Sequence, residues 1–491
     1  KKENRPKSKI CYFQGRWCNI LKIIKLDGKY DPARIVAAAD IVKDFACLES
    51  LFLIHGRYSI YAFEPFLKIH SKNGLTSINT TGTSCLSTAE PLEVLSHYFK
   101  EYFIESSFEP CAGGAIGYFS YDFGRRLEKV PVLAVDDLGC PDFEWNFYSS
   151  TLIYDHATRV WHLVLTGYPF TSKKARFKKI KEDYMLWHEF LSLSQKRSPD
   201  FLIEKDDTSS GIVNSSFTRE SYCTAVGRAK DYIRCGDIFQ VNLAQRFSIR
   251  QNFNPLLTYR KLRLVSPAPF AGYFAGHEHT ILSSSPERFL KLSLNKEVET
   301  RPIKGTRPRH PEQSIDRQLA LALQQSEKDR AENLMIVDLE RNDLGKVCQY
   351  GSIYVSDLFS LESYPQVHHL VSGVKGRLKE QYDRFDLLKA TFPGGSITGA
   401  PKIRAMEIIE ELEPVRRGIY TGAMGYMGYN GTMDLNILIR TLLHYQQTYY
   451  FYVGGGIVAD SNPEEEYKET LHKAEGICRT LGLKEAWYKN G

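Results

Sequence analysis

Phe270-Ala271-Gly272-Tyr273-Phe274, Thr280-Ile281-Leu282-Ser283, Arg288-Phe289-Leu290-Lys291-Leu292 and the segment from Glu297 to Ile303 follow one another as short runs with strand character. Apolar and β-branched runs of this length, separated by turn residues, predict successive strands that pair antiparallel. The second half of the chain is therefore expected to contain a large antiparallel sheet, and Lys304 stands at the exit of the last strand.

Lys304 lies in the hexapeptide Arg301-Pro302-Ile303-Lys304-Gly305-Thr306. The neighbouring glycine lets the backbone approach a ligand closely, and a desolvated lysine amine can act as a nucleophile or a base. Taken alone, however, the hexapeptide fits a solvated surface lysine better. The surrounding sequence has to decide between the two interpretations.

The bulk properties narrow the class of protein. At 491 residues the chain exceeds one ordinary hydrophobic core, so two domains or one large intertwined domain are expected. A formal charge of +6 without a concentrated basic stripe argues against a nucleic-acid partner. No window approaches the ~18 apolar residues of a membrane span, and the ten cysteines form no C-x-x-C pair, so a cytoplasmic protein without membrane association is expected.

The order of patterns suggests two halves joined by a polar linker. Short strand-like runs dominate up to about residue 170, a charged helical pattern follows, and residues 198–216 are polar. We place an N-terminal domain at 1–205 and a second domain at 215–485. The linker between them contains Asp-Asp-Thr-Ser-Ser-Gly.

Two predicted helices carry closely spaced carboxylates. The segment from Ser314 to Asp343 lacks Gly and Pro and should be one helix, on which Asp329, Glu332 and Ile336 share a face. On the terminal helix from Pro463 to Leu481, Glu466 and Glu469 again stand three residues apart. The alternative is that Glu332 pairs with Lys328 on a solvated surface.

Two further features fit the binding of an anion. Residues 393–402 form a Gly/Ser/Thr loop followed by a helix, and such a loop offers backbone N–H groups to a carboxylate or phosphate. Arg440 lies within an apolar strand predicted from Asp434 to Leu443, where an unpaired charge is costly. A flexible surface loop and an edge-strand arginine facing water are the alternatives.

Several long motifs resemble those of the chorismate-utilising enzymes, in the order found in that family. They are Ser285-Pro286-Glu287-Arg288-Phe289, Lys328-Asp329-Arg330-Ala331-Glu332-Asn333, the 393–407 segment and Asp460-Ser461-Asn462-Pro463-Glu464. The resemblance covers nearly the whole chain, and residues 1–205 resemble the family's N-terminal domain. It implies an α+β fold in which large, mostly antiparallel β-sheets form a sandwich-like core flanked by helices, with two intertwined subdomains.

Lys304 is the position that discriminates within the family. Members that form anthranilate resemble Pro-Ile-Ala-Gly-Thr here, whereas members that aminate chorismate at C4 carry the Pro-Ile-Lys-Gly-Thr of this chain. The resemblance therefore implies formation of 4-amino-4-deoxychorismate, on the route to p-aminobenzoate and folate, through a covalent intermediate on Lys304.

The resemblance also implies a set of site residues. Catalytic roles fall to Lys304, Glu287 and His369. Mg²⁺ would be held by Glu332 and Glu469, with Asp329 and Glu466 in support, and Asp329 departs from the glutamate of some relatives. The substrate carboxylates would be bound by Ser396, Thr398, Gly399, Ala400, Tyr420, Arg440, Gly454, Gly455, Gly456 and Lys473.

Partners follow from what the chain lacks. No glutaminase nucleophile segment is found, so we expect the chain to use ammonia supplied by a separate glutamine amidotransferase subunit, component II. Leu48-Glu49-Ser50 resembles the tryptophan-feedback site of the anthranilate-forming members, which indicates a possible effector site, and keeps anthranilate synthesis as the first alternative. A non-catalytic regulatory partner of a glutamine amidotransferase is an alternative of another class, but it would be expected to have lost Glu332 or Glu469.

Overall fold

The computed structural model describes residues 20–26, 30–52, 55–198 and 212–483. The predicted linker at 198–216 and the boundary at 205 lie largely outside these residues. The described residues form 24 strands and 11 helices. The strands are β1 (Lys22–Leu26), β2 (Ala46–Glu49), β3 (Tyr58–Ala62), β4 (Leu67–Lys72), β5 (Leu75–Thr80), β6 (Ser84–Ser87), β7 (Gly114–Phe119), β8 (Phe143–Tyr148), β9 (Ser150–Asp155), β10 (Val160–Leu165), β11 (Val213–Ser215), β12 (Gln240–Arg250), β13 (Phe270–Ala275), β14 (Thr280–Ser285), β15 (Arg288–Leu292), β16 (Glu297–Arg301), β17 (Ile303–Pro308), β18 (Tyr354–Ser363), β19 (Val367–Arg377), β20 (Gly399–Ala400), β21 (Ala423–Gly428), β22 (Met433–Ile437), β23 (Thr441–Tyr445) and β24 (Thr448–Ile457). The helices are α1 (Pro32–Ala37), α2 (Pro91–Glu101), α3 (Gly124–Leu127), α4 (Lys173–Ser194), α5 (Arg219–Arg234), α6 (Pro255–Val265), α7 (Gln313–Gln325), α8 (Glu327–Gly345), α9 (Arg384–Thr391), α10 (Lys402–Leu412) and α11 (Pro463–Thr480).

The strands form two antiparallel sheets, each of which takes strands from both halves of the chain. The first runs in the order β1-β10-β9-β3-β2-β13-β14-β23-β24-β12-β11, with β20 pairing to β12. The second runs β17-β19-β16-β15-β22-β21-β7-β8-β4-β5-β6, with β18 pairing to β19. The two halves of the chain pair through β2 and β13 in the first sheet and through β7 and β21 in the second. The halves are therefore intertwined. The α+β class and the intertwined arrangement are confirmed, while the division at 205–215 stays a prediction.

Three apolar layers hold the two sheets and the helices together. Residues such as Ile116, Phe274 and Met424 pack in one cluster that joins strands of both sheets. A second cluster packs α2, α5, α8, α9 and α10 mainly against the second sheet, and a third packs α1, α4, α6 and α11 against the first. This is the expected sandwich-like core flanked by helices. Among the described residues, no helix is both long and apolar enough to cross a membrane.

Two predicted elements are interrupted in the structure. The helix expected from Ser314 to Asp343 is two helices, because Ser326 leaves the helical conformation and caps α8 by accepting a hydrogen bond from the N–H of Asp329. The strand expected from Asp434 to Leu443 ends at Ile437 and resumes at Thr441. Its first part belongs to the second sheet and its second part to the first, so Arg440 lies where the chain crosses between the sheets.

Candidate active site

Lys304 extends from β17 into a buried space between the sheets and the helices. It is 8% exposed, and its amine makes no hydrogen bond or ion pair with any described side chain. Burial lowers the pKa of Lys304, against the opposing effect of the nearby carboxylates Glu332, Glu287 and Glu469. The surface interpretation of Lys304 is therefore wrong, because the side chain is enclosed between the sheets and the helices.

Glu287 stands at the turn between β14 and β15 and is also buried. Its Oε1 accepts a hydrogen bond from Ser396 Oγ at 2.6 Å and from the N–H of Ile303 at 3.4 Å. Burial raises the pKa of Glu287 to about 7, although the Ser396 hydroxyl and the charge of Lys304 act in the opposite direction. Near neutral pH this carboxyl can therefore give or take a proton.

His369 and Arg440 lie side by side in the same space. β17 pairs with β19 so that Thr306 faces His369, and Thr306 Oγ1 lies 2.9 Å from His369 Nδ1. Arg440 Nη2 donates to His369 Nε2 at 3.2 Å. Because a guanidinium can only donate, Nε2 accepts and the ring proton resides on Nδ1. Burial, reinforced by Arg440, lowers the pKa of His369 to about 3, so the ring is neutral.

Arg440 carries a charge that no described carboxylate neutralises by direct contact. Burial lowers its pKa, opposed by Tyr364 and Glu287, yet a guanidinium remains protonated in proteins. It lies in the interruption between β22 and β23 with a φ of 50°. A buried cation without an anion is the arrangement expected of a carboxylate-binding site.

The 393–400 loop reaches the same space through one residue. Ser396 contacts Glu287, as described above, whereas the Thr398 hydroxyl donates to the carbonyl of Gly394 at 2.8 Å. Gly399 and Ala400 form β20, which pairs with β12. A Cβ at Gly399 would lie 2.2 Å from the Gln240 carbonyl oxygen, so this position excludes a side chain. The loop is buried and ordered by these contacts, which rules out the flexible surface loop.

The glycines of β24 line the floor of the site. Gly454, Gly455 and Gly456 pair with Ala244, Leu243 and Asn242 of β12. A Cβ at Gly456 would lie 3.5 Å from Lys304 Nζ, which shows how closely the amine approaches this backbone. Further along the floor, Tyr420 stacks on Tyr452 with ring centroids 5.0 Å apart.

Carboxylates from α11 face this floor. A Cβ at Gly455 would lie 3.3 Å from Glu466 Oε2 and 3.6 Å from Glu469 Oε1, so the missing side chain leaves an oxygen-lined cradle. Glu469 pairs with Lys473 Nζ at 2.6 Å, and Lys473 also donates to the Gly454 carbonyl. Lys473 lowers the pKa of Glu469, whereas burial raises the pKa of Glu466.

Glu332 approaches the same region from α8. Burial raises its pKa, with Lys304 opposing and Glu466 adding to the effect. Asp329, one turn earlier, is instead held by Arg307 at 2.8 Å. Within the described ranges, no three His, Cys, Asp or Glu side chains converge closely enough to hold a metal ion. The oxygen donors of Glu332, Glu466 and Glu469 nevertheless suit Mg²⁺, because this ion is commonly held by one or two carboxylates together with water and substrate.

Leu48, Glu49 and Ser50 lie apart from these groups, on and after β2. They line a cavity of about 90 Å³ together with residues such as Arg288 and Tyr426. The carboxylate of Glu49 accepts hydrogen bonds from Tyr61, Tyr259 and Arg263 at 2.8 to 3.0 Å. Glu49 therefore contributes to packing, the alternative to an effector role for this triplet, while Leu48 and Ser50 border the cavity.

Gln240 was missed by the sequence interpretation. It is 1% exposed, its Nε2 lies 2.2 Å from where a Cβ at Gly456 would stand, and its Oε1 has no hydrogen-bond partner among the described residues. A polar residue at the start of a predicted strand was the available signal. The position of Gln240 in the site can be recognised only when β12 pairs with β24, which places Gln240 beside Lys304.

Comparisons with family models, known sequences and solved structures agree on one family. Residues 47–479 match the family model described as chorismate binding enzyme. The chain is 40% identical over 433 residues to aminodeoxychorismate synthase component 1 of Bacillus subtilis, covering 88% of this chain and 90% of that protein. It is 41% identical over 430 residues to the protein of the same name in Escherichia coli, covering 87% and 90%. The crystal structure of anthranilate synthase component I from Streptococcus pneumoniae matches with a TM-score of 0.74 and 34% identity, covering 86% of this chain and 92% of that one.

Proposed function

The chain belongs to the chorismate-binding enzyme family, and from that membership we propose that it aminates chorismate at C4 to give 4-amino-4-deoxychorismate. The relatives named aminodeoxychorismate synthase component 1 support this reaction within the family. The observation that carries the proposal is the buried, unpaired amine of Lys304, enclosed with Glu287, His369 and Arg440.

In the first step, the neutral amine of Lys304 attacks C2 of the chorismate ring. A bond forms between Nζ and C2, the two ring double bonds shift, and the C4–O bond breaks. Glu287 gives its proton to the departing oxygen, so that water leaves and the nitrogen on C2 carries the positive charge. The pKa of about 7 for Glu287 suits this role, because the carboxyl is substantially protonated near neutral pH.

In the second step, ammonia attacks C4. A C4–N bond forms, the double bonds return, and the C2–Nζ bond breaks to release the neutral amine of Lys304. The new ammonium on C4 returns one proton to Glu287, which restores the starting state. Chorismate and ammonia are thereby converted to 4-amino-4-deoxychorismate and water.

The other residues orient the substrate. The unpaired guanidinium of Arg440 binds a substrate carboxylate. When Arg440 turns to that carboxylate, Nε2 of the neutral His369 is free to accept a hydrogen bond from the C4 hydroxyl, so His369 orients this group rather than acting as an acid. Tyr420 and the glycines of β24 form the floor against which the ring lies.

Mg²⁺ is the cofactor we propose, held by Glu332 and Glu469 with Glu466 and Asp329 in support. When bound, it would neutralise a substrate carboxylate and favour loss of the hydroxyl as a Lewis acid. The Gly455 cradle and the oxygen donors on two helices fit this group. Binding there would compete with Lys473 for Glu469.

The word "component" in the names of the relatives supports a partner subunit. We propose that a glutaminase subunit supplies the ammonia in the cell, and that free ammonium replaces it in the test tube. The cavity at Leu48 and Ser50 remains our proposed effector site, with tryptophan as the first ligand to test.

The proposal is tested by incubating the protein with chorismate, Mg²⁺ and ammonium, and identifying the product by chromatography and mass. We expect 4-amino-4-deoxychorismate. Immediate anthranilate fluorescence, without an added lyase, would instead support the activity named for the Streptococcus pneumoniae relative. Absence of any chorismate turnover would support a non-catalytic partner, a function that the retention of both Glu332 and Glu469 argues against.

A further inference from the structure

A second buried carboxyl, Glu340, lies directly behind the loop that contacts Glu287. Glu340 is on α8, two turns beyond Glu332, and is 2% exposed. Its Oε1 accepts a hydrogen bond from the backbone N–H of Gly395 at 3.0 Å. Its Oε2 is buried without a hydrogen-bond partner among the described residues. A buried carboxyl with one oxygen unpartnered is costly, so its presence at this place calls for an explanation.

The loop links the two carboxyls through consecutive residues. Gly395 binds Glu340, and the next residue, Ser396, donates its hydroxyl to Glu287 at 2.6 Å. Close packing fixes the loop further, since a Cβ at Gly395 would lie 2.6 Å from Leu339 Cδ2 and 3.1 Å from Glu340 Oε1. A shift of Gly395 therefore moves Ser396, and with it the hydrogen bond that orients Glu287.

We propose that Glu340 is a positioning residue for the amination reaction: it holds Gly395 so that Ser396 keeps Glu287 oriented toward the substrate. This rests on the proposed function of the same site, because it assigns Glu340 a role through Glu287. Glu340 does not itself contact the reacting groups. Protonation of Oε2 leaves Oε1 free to accept, so the contact to Gly395 holds in either state.

Glu340 and Glu287 also interact electrostatically. Burial raises the pKa of Glu340 to about 7, with Glu287 and Asp343 adding to the effect and Lys402 opposing it. Asp343 itself forms salt bridges with Lys402 and Lys346.

On its other side, Glu287 faces Lys304 and Arg440, both of which lower its pKa. The two carboxyls are thus expected to titrate as a coupled pair, which gives a broad alkaline limb in the pH profile of kcat, because Glu287 acts in its protonated form.

The test uses four variants of the full chain, assayed with chorismate, Mg²⁺ and ammonium. Glu340→Gln keeps an oxygen for Gly395 and removes the charge, whereas Glu340→Leu removes both. Ser396→Ala breaks the link at the next residue. Asp338→Asn removes a carboxylate from the exposed face of the same helix, where Asp338 pairs with Arg341 on the surface, and serves as the control.

We expect Asp338→Asn to match the wild type, and Glu340→Gln to keep kcat within about threefold, because the hydrogen bond to Gly395 survives. The alkaline limb of its pH profile should narrow to the titration of Glu287 alone and move to lower pH. Glu340→Leu should lose about 10²-fold in kcat, the scale of a misplaced catalytic group, with little change in KM. Combining Glu340→Leu with Ser396→Ala should cost no more than the larger single effect, because both act through one link.

Wild-type kcat in folded Glu340→Leu, or losses that multiply in the double variant, would overturn the proposal. If Glu340→Leu does not fold, the pH profile of Glu340→Gln decides, and an unchanged alkaline limb would refute the role. If the wild-type protein turns over chorismate but the variants do not give the expected results, only this inference is contradicted. A wild-type protein inactive on chorismate would overturn both it and the proposed function.

Discussion

Replacing Lys304 with methionine separates the chemical role of its amine from its packing role. Methionine fills nearly the same volume, and the amine it removes has no ion pair to break. We therefore expect the melting temperature to stay within about 2 °C of the wild type, because loss of an unpaired buried charge offsets lost packing. Chorismate binding should persist, since Arg440 and the 393–400 loop are untouched.

The effect on turnover should be large. Without the amine, the covalent route is closed, and kcat should fall by at least about 10²-fold, or ~2.7 kcal/mol of transition-state free energy. Because Lys304 lowers the pKa of Glu287, its removal should also move any residual alkaline limb to higher pH. Steady-state product formation, equilibrium binding of chorismate and thermal unfolding measure the three effects. A Lys304→Met protein with wild-type kcat would refute the reasoning, whereas one that neither folds nor binds chorismate would show that the amine has a structural role.

Three further outcomes follow from the site. Arg440→Met should raise the KM for chorismate by roughly 10- to 100-fold, the value of a hydrogen bond to a charged group, and an unchanged KM would exclude Arg440 as a carboxylate ligand. Gly455→Ala should raise the Mg²⁺ concentration needed for half-maximal activity by about tenfold, because its methyl group enters the cradle at 3.3 Å from Glu466 Oε2, while Gly227→Ala, which meets no atom within 4 Å, serves as the control. Glu287 should make stability fall with rising pH, because a folded pKa raised from about 4.5 to about 7 means that the folded state binds more protons in that window. Thermal unfolding of the wild type and Glu287→Gln from pH 4.5 to 7 should therefore diverge by roughly 3 kcal/mol, with the wild type losing stability, and parallel curves would contradict the raised pKa.

Much of the site was accessible from sequence because its residues occur in recognisable runs. The strand-rich segments predicted the antiparallel sheets. The break at Ser326 was missed because helix propensity is high on both sides, and only the cap that Ser326 provides marks it. Arg440 was assigned to a continuous strand because local pattern does not show a chain leaving one sheet for another.

Other parts depended on pairing between distant segments. Gln240 and Gly456 are far apart in sequence and meet only through β12 and β24. Glu340 lies on the apolar side of α8, where sequence offers no means of telling a buried acid from a solvated one. Glu49 was assigned to an effector site by resemblance, yet its three donors come from β3 and α6, whose arrangement could not be derived from the sequence.

The central claim is that Lys304 bonds covalently to the chorismate ring. Its most direct test is mass spectrometry of the enzyme quenched during turnover, with chorismate and Mg²⁺ present and ammonium withheld. We predict an added mass equal to chorismate less one water, located by peptide mapping on Lys304 and absent from Lys304→Met. An enzyme that turns over chorismate when ammonium is supplied, yet carries no adduct under these conditions or carries one on another residue, would contradict the account.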